Sequence, residues 1–154
     1  MIHRYSLNGF RLFRLPTPSK ESVVGILGPN GMGKSTAFNI LSGSIIPNLG
    51  DFEADEVWWE DVISSLPRGE LRDFLVDVSE SDVTVALKPQ YVDHIPKAVR
   101  GKVGQLLSSV DERGVYDEMI LKLGIDHLLE RNLDQLSGGE LQRVAICATL
   151  LKQA

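Results

Sequence analysis

An α/β fold is predicted, with a parallel core sheet, antiparallel strands ahead of it and a helical subdomain behind it. Three observations predict it. Val23–Leu27 and Val83–Leu87 are continuous apolar, β-branched runs, as in strands covered on both faces. A glycine-rich loop separates the first run from a stretch of helical periodicity. Beyond about Val99 the apolar spacing becomes purely helical. The 154 residues suffice for one ordinary domain, and 43% apolar with 24% charged residues excludes a disordered or fibrous chain.

Element by element, alternation from Leu7 to Leu15 predicts a half-buried strand ended by Pro16-Thr17-Pro18. Val23–Leu27 is the next strand. Gly28-Pro29-Asn30-Gly31-Met32-Gly33-Lys34-Ser35-Thr36 is the loop, and Ala37, Phe38, Ile40 and Leu41 open a helix that Gly43 closes. Residues 51–82 hold 11 of the 21 acids against two bases, Arg68 and Arg72, and are expected to form a solvated surface insertion. Within it, Val57 to Leu66 suggests one helix stopped by Pro67, and Leu71 to Leu75 a second. Val83–Leu87 is another buried strand. Val99 to Val110 and Val115 to Leu123 are helical, and the strongest helix signal runs from Ser137 to Leu151. The expected subdivision is a β and loop core over 1–98, a helical subdomain over 99–135 and a final helix over 136–154.

Composition narrows the function. Cys147 is the single cysteine, so no internal disulfide and no cysteine-ligated metal cluster can form. No apolar run approaches the roughly 18 residues of a membrane helix, and Met1 to Tyr5 lacks a signal-peptide core. A soluble, cytoplasmic protein is expected. The net charge of −5 argues against binding nucleic acid through overall charge.

Gly28, Gly33, Lys34 and Ser35 satisfy Gly-x4-Gly-Lys-Ser. Glycines let backbone amides converge on phosphate oxygens, and the helix that follows presents its unpaired amides and positive dipole end. Lys34 supplies a point charge for the outer phosphates and acts as a catalytic residue. The Ser35 hydroxyl is placed for Mg²⁺. Asn30, Gly31, Gly33, Lys34, Ser35 and Thr36 form the expected binding set for a nucleoside triphosphate.

A second pattern is Leu136-Ser137-Gly138-Gly139-Glu140 ahead of an apolar helix. Ser137 as N-cap and Glu140 three residues on make a capping box. Two adjacent glycines in the first turn weaken a helix by about 1 kcal/mol each relative to alanine, a cost tolerated where close backbone approach is required. Bare amides at a capped helix end make a second anion site.

With both patterns in place, the sequence resembles the ATP-binding cassette (ABC) ATPases, in which a phosphate loop, a glutamine loop and a Leu-Ser-Gly-Gly signature occur in that order. Here they are Gly28–Thr36, Gln90 and Leu136–Glu140. The resemblance implies a phosphate-loop NTPase fold of the ABC type with ATP and Mg²⁺ as cofactors. By it Gln90 touches Mg²⁺ and the attacking water, a catalytic and metal-binding role. Ser137, Gly138 and Gly139 contact ATP held by an opposing, second nucleotide-binding domain.

Further stretches resemble the first nucleotide-binding domain of the ABC-E subfamily, the RNase L inhibitor family, in an archaeal-like form. They are His3-Arg4-Tyr5 with Asn8 and Phe10, Ile46–Gly50, Arg68–Leu71 and Lys88–Lys97. That subfamily splits ribosomes after termination, so the resemblance implies small ribosomal subunits and recycling or release factors as partners, and no membrane. It also implies that Tyr5 and Phe10 hold adenine. His3, His94 and His127 are isolated and are expected to be surface or packing residues. Trp58 and Trp59 are expected to pack a helix, and Cys147 to be a small core residue.

In that family the Mg²⁺-binding and catalytic carboxylates end an apolar strand beyond the signature helix. No such strand follows Leu151 here, and Asp111-Glu112 precedes the signature. The expectation is a cassette cut after its signature helix, binding ATP without turnover, whose intact form is an ATPase. Two other functions remain open: the nucleotide-binding domain of a membrane transporter, and a nucleotide-binding module without catalysis.

Overall fold

The chain opens with a two-stranded antiparallel sheet. Strand β1 (His3–Arg4) pairs with β2 (Arg11–Leu12), with His3 opposite Leu12 and Arg4 opposite Arg11. The structure is a computed structural model describing residues 1–154, and it divides into two units, Met1–Thr84 and Val85–Ala154.

In the first unit the strand expected from Leu7 to Leu15 contracts to the two residues of β2, and its alternation breaks. Leu12 and Leu15 are both buried while Phe13 is exposed. The parallel core sheet is not formed. Neither Val23–Leu27 nor Val83–Leu87 is a strand, and Val23 and Leu27 are 100% and 98% exposed. A helix satisfies its own N–H and C=O groups, whereas a strand needs a neighbouring strand, and neither run pairs with one within these residues.

Helix α1 (Lys34–Leu41) follows the glycine loop as expected, and Gly43 takes a left-handed φ of 75° just past its end. Helices α2 (Trp59–Ser65) and α3 (Glu70–Ser79) come from the acidic stretch, with acids in each first turn where the helix dipole favours them. The stretch is more than a solvated insertion. Leu75 is fully buried in a core with Ile2, Leu12, Leu15, Ala37 and Ile40, and Trp59 packs against that core while Trp58 is exposed.

The second unit is helical: α4 (Ile95–Ala98), α5 (Val103–Ser109), α6 (Tyr116–Leu123) and α7 (Gly138–Leu150), joined by short 3-10 turns. Left-handed Gly124 caps α6. The start of α5 is tied to the turn before α7 by Val103 N–H to Arg131 C=O and Gly104 N–H to Leu129 C=O, at 3.0 and 2.9 Å. Asp111 and Glu112 lie in the connection between α5 and α6. Asp111 accepts from the Val115 and Tyr116 amides, and Glu112 from the Gln153 amide. Leu107, Ile125, Leu128, Leu133, Cys147 and Leu151 are fully buried in this unit's core, and burial pushes the Cys147 thiol pKa up.

Candidate phosphate-binding loop and signature helix

The loop of the first unit is built by two left-handed glycines, Gly31 at φ 82° and Gly33 at φ 84°. Residues with a Cβ adopt that conformation only at a cost. Gly33 is the N-cap of α1, and the first intrahelical bond runs from the Ala37 amide to the Gly33 carbonyl at 2.9 Å. The Lys34, Ser35 and Thr36 amides therefore have no partner inside the helix. No acidic side chain stands in this first turn to take the dipole's positive end. The Lys34 ammonium folds across the loop and donates to the Gly28 and Pro29 carbonyls at 2.7 and 2.8 Å. Free amides, a dipole end and a cation thus meet in one exposed turn, which is an anion cradle.

The β1–β2 hairpin lies against this loop. A Cβ built on Gly33 would overlap the Phe10 ring, so that ring rests directly on the glycine. The Tyr5 and Thr36 hydroxyls share a hydrogen bond of 3.1 Å. His3 meets the Tyr5 ring edge-on at 4.7 Å between centroids. His3 is buried, and burial holds its imidazole below the usual histidine pKa. Its Nδ1 accepts from the Asn48 amide at 3.3 Å. Asn48 has no individual role legible in the sequence, yet its side chain accepts from the Arg4 amide and donates to the Arg4 carbonyl, at 2.9 and 2.7 Å. Asparagine beside a proline is ordinarily a turn signal, so nothing local distinguished this brace.

In the second unit Ser137 caps α7 as its spacing predicts. The Ser137 amide and hydroxyl each donate to a Glu140 carboxylate oxygen at 2.8 Å, and the Glu140 amide donates back to the hydroxyl at 3.4 Å. These bonds, the backbone one foremost, hold the Glu140 carboxyl below the usual range. Arg131 stands 3.6 Å from the same carboxylate. Gly138 and Gly139 are exposed, and a Cβ on either would meet nothing within 4 Å, so their absence of side chains is not required by packing inside this chain. Gln90 is exposed in this unit, two residues from Lys88, whose ammonium donates to the Gln142 side-chain carbonyl at 2.9 Å.

Tyr5, Phe10, Gly33 and Thr36 are thus brought together in the first unit, with Asn30, Gly31, Lys34 and Ser35 in the same loop. Ser137 and Glu140 are brought together in the second. The oxygen donors proposed by the sequence for Mg²⁺, the Ser35 hydroxyl and the Gln90 amide, are both exposed and of the hard type that cation takes. No group of three or more His, Cys, Asp or Glu side chains is arranged to hold a metal.

A left-handed glycine loop opening a helix, followed in the chain by a capped signature helix, defines a phosphate-loop domain of the ATP-binding cassette type. The comparisons agree. Residues 17–154 match the ABC transporter family, and the chain belongs to it. Within it, the chain is similar to ABC transporter E family member 1 of Arabidopsis thaliana, at 45% identity over 99% of this chain and 25% of the relative. Translation initiation factor RLI1 of Saccharomyces cerevisiae is 44% identical over 100% of this chain and 26% of its own length. Among solved structures, the archaeal ribosome recycling factor aABCE1, in complex with ribosomal stalk protein aP1, superposes with a TM-score of 0.90 at 48% identity. That match covers 99% of this chain and 29% of the other. The ABC-type fold class is therefore the one the sequence predicts, although the parallel core sheet expected with it is not formed within these residues. The chain spans about a quarter of the length of the curated relatives it matches.

Proposed function

We propose that this chain is the ATP-binding segment of an ABC-E-like ATPase whose intact form couples ATP binding and hydrolysis to splitting of ribosomal subunits. The observation that carries the reading is the loop Gly28–Thr36, with Gly31 and Gly33 left-handed, three free amides and the Lys34 ammonium at one helix end. Lys34 meets the outer phosphates, Asn30, Gly31, Gly33 and Thr36 line the cradle, and Tyr5 and Phe10 hold the adenine. Ser35 would hold Mg²⁺, which when bound would neutralise phosphate charge. By the family resemblance Gln90 would contact Mg²⁺, orient water and report the state of the nucleotide.

Ser137, Gly138 and Gly139 meet ATP bound to a second nucleotide-binding domain. Their openness within this chain supports that assignment. The names of the relatives support a role in translation and ribosome recycling; the small subunit and recycling or release factors as partners, and the cytoplasm as location, rest on the family resemblance. No helix here is long and apolar enough to cross a membrane.

The 154-residue chain by itself binds nucleotide without turnover. Catalysis needs a carboxylate for Mg²⁺ and a group to orient water, and the pair Asp111-Glu112 is spent on backbone amides. Calorimetry with MgATP should show saturable binding that Lys34→Ala abolishes, and a phosphate-release assay should show nothing. Binding unchanged in Lys34→Ala would remove the loop from the reading. In cell extracts the parent protein should sediment with small ribosomal subunits; co-fractionation with membranes would favour a transporter instead.

A further inference from the structure

We propose that Tyr5 is a positioning residue for the phosphate loop, acting through its hydroxyl on Thr36 and independently of any contact its ring makes with a base. This rests on the reading of Gly28–Thr36 as the nucleotide site.

Thr36 is buried, 8% exposed, and stands in the first turn of α1, where its amide has no intrahelical partner. A buried hydroxyl needs a partner, and the bond that Thr36 Oγ1 makes is to the Tyr5 hydroxyl. Tyr5 is held from three sides. Its amide donates to the Phe10 carbonyl across the hairpin at 3.3 Å, its ring meets His3 edge-on, and its hydroxyl reaches Thr36. Phe10, opposite it in the hairpin, rests on Gly33. One hairpin therefore grips the loop at two places, Gly33 by a ring and Thr36 by a hydroxyl, on either side of Lys34 and Ser35. Fixing Thr36 fixes the direction of the last free amide in the cradle. Tyr5 as a whole residue is 53% exposed, so burial alone does not explain it.

The test compares Tyr5→Phe, Thr36→Val, their double variant and Thr36→Ser in the 154-residue chain. The probes are MgATP and magnesium tripolyphosphate, each competed against a fluorescent ATP analogue. Tyr5→Phe keeps the ring and removes only the hydroxyl. It should weaken both ligands by the same factor, about fivefold for one net hydrogen bond. Thr36→Val should match it, the double variant should be no weaker than either single one, and Thr36→Ser, which keeps the hydroxyl, should bind more tightly than Thr36→Val.

Wild-type affinity for both ligands in Tyr5→Phe overturns the inference. So does a loss confined to MgATP, which would make Tyr5 a base contact only. If the unaltered chain binds neither ligand, the nucleotide reading itself falls, an outcome distinct from both.

Discussion

The two halves of this molecule hold their apolar residues differently. In Val85–Ala154, Leu107, Ile125, Leu128, Leu133, Cys147 and Leu151 are fully buried among helices close in sequence. In Met1–Thr84, two core positions, Ile40 and Leu75, reach full burial in the main cluster, and the run Val23–Leu27 leaves both of its ends in solvent. The contrast has one cause. A helix closes its own hydrogen bonds and brings residues three and four apart onto one face, so nearby sequence can complete it. A strand is complete only when another strand lies beside it. The phosphate loop sits in the less self-sufficient half, held by two short strands and α1.

That contrast can be broken by experiment. The largest effect is expected from Leu128→Ala, which leaves a cavity in the helical core and should cost about 2–5 kcal/mol. Amide exchange should quicken across residues 85–154 more than across 1–84, and an equal rise in both would show that the halves do not differ in self-sufficiency. Gly33→Ala should cost about 1–2 kcal/mol by forcing a side chain into the left-handed region and into the Phe10 ring. Phe10→Ala in the same chain should recover the steric part, read as a rise in melting temperature over the single variant.

Ser137→Ala should cost about 1 kcal/mol by removing the cap of α7. Glu140 has its pKa held below 4.5, so the box stabilises above that pH and is lost as the carboxylate protonates on further acidification. The difference between Ser137→Ala and the parent should therefore shrink in acid melts. His3 titrates in the other half. Its pKa is lowered from 6.5 because burial disfavours the imidazolium, so its contribution is present above that pH and lost as pH falls through the folded value. Exchange in residues 1–84 should quicken on acidification below about 6.5, and His3→Gln should flatten that dependence. The smallest effect, within about 0.5 kcal/mol, is expected of Val23→Lys, because the side chain it replaces is fully in solvent.

Much of the local geometry of the candidate site was legible in the sequence, for a local reason in each case. Gly31 and Gly33 announced their left-handed backbone because few residues replace glycine there, and Ser137 with Glu140 announced a cap because the box closes over four residues. Gly43 marked a helix end in the same way. What escaped was non-local. The Asn48 brace spans 44 residues to Arg4, and the Tyr5–Thr36 bond spans 31. Leu75 hid in a stretch whose charge suggested only solvent, because acids on one side of a helix say little about the side that packs.

The amino-acid order by itself determined the glycine loop, the helix that follows it, the capped signature helix and the family to which they belong. Each of these is written in residues a few positions apart, where backbone geometry and capping act. Only the tertiary structure decided that the apolar runs at Val23–Leu27 and Val83–Leu87 form no ladder here, and that a hairpin grips the loop at Gly33 and Thr36. Strand pairing and side-chain contact across tens of residues depend on where distant chain arrives in space, and the spacing of neighbours does not encode that.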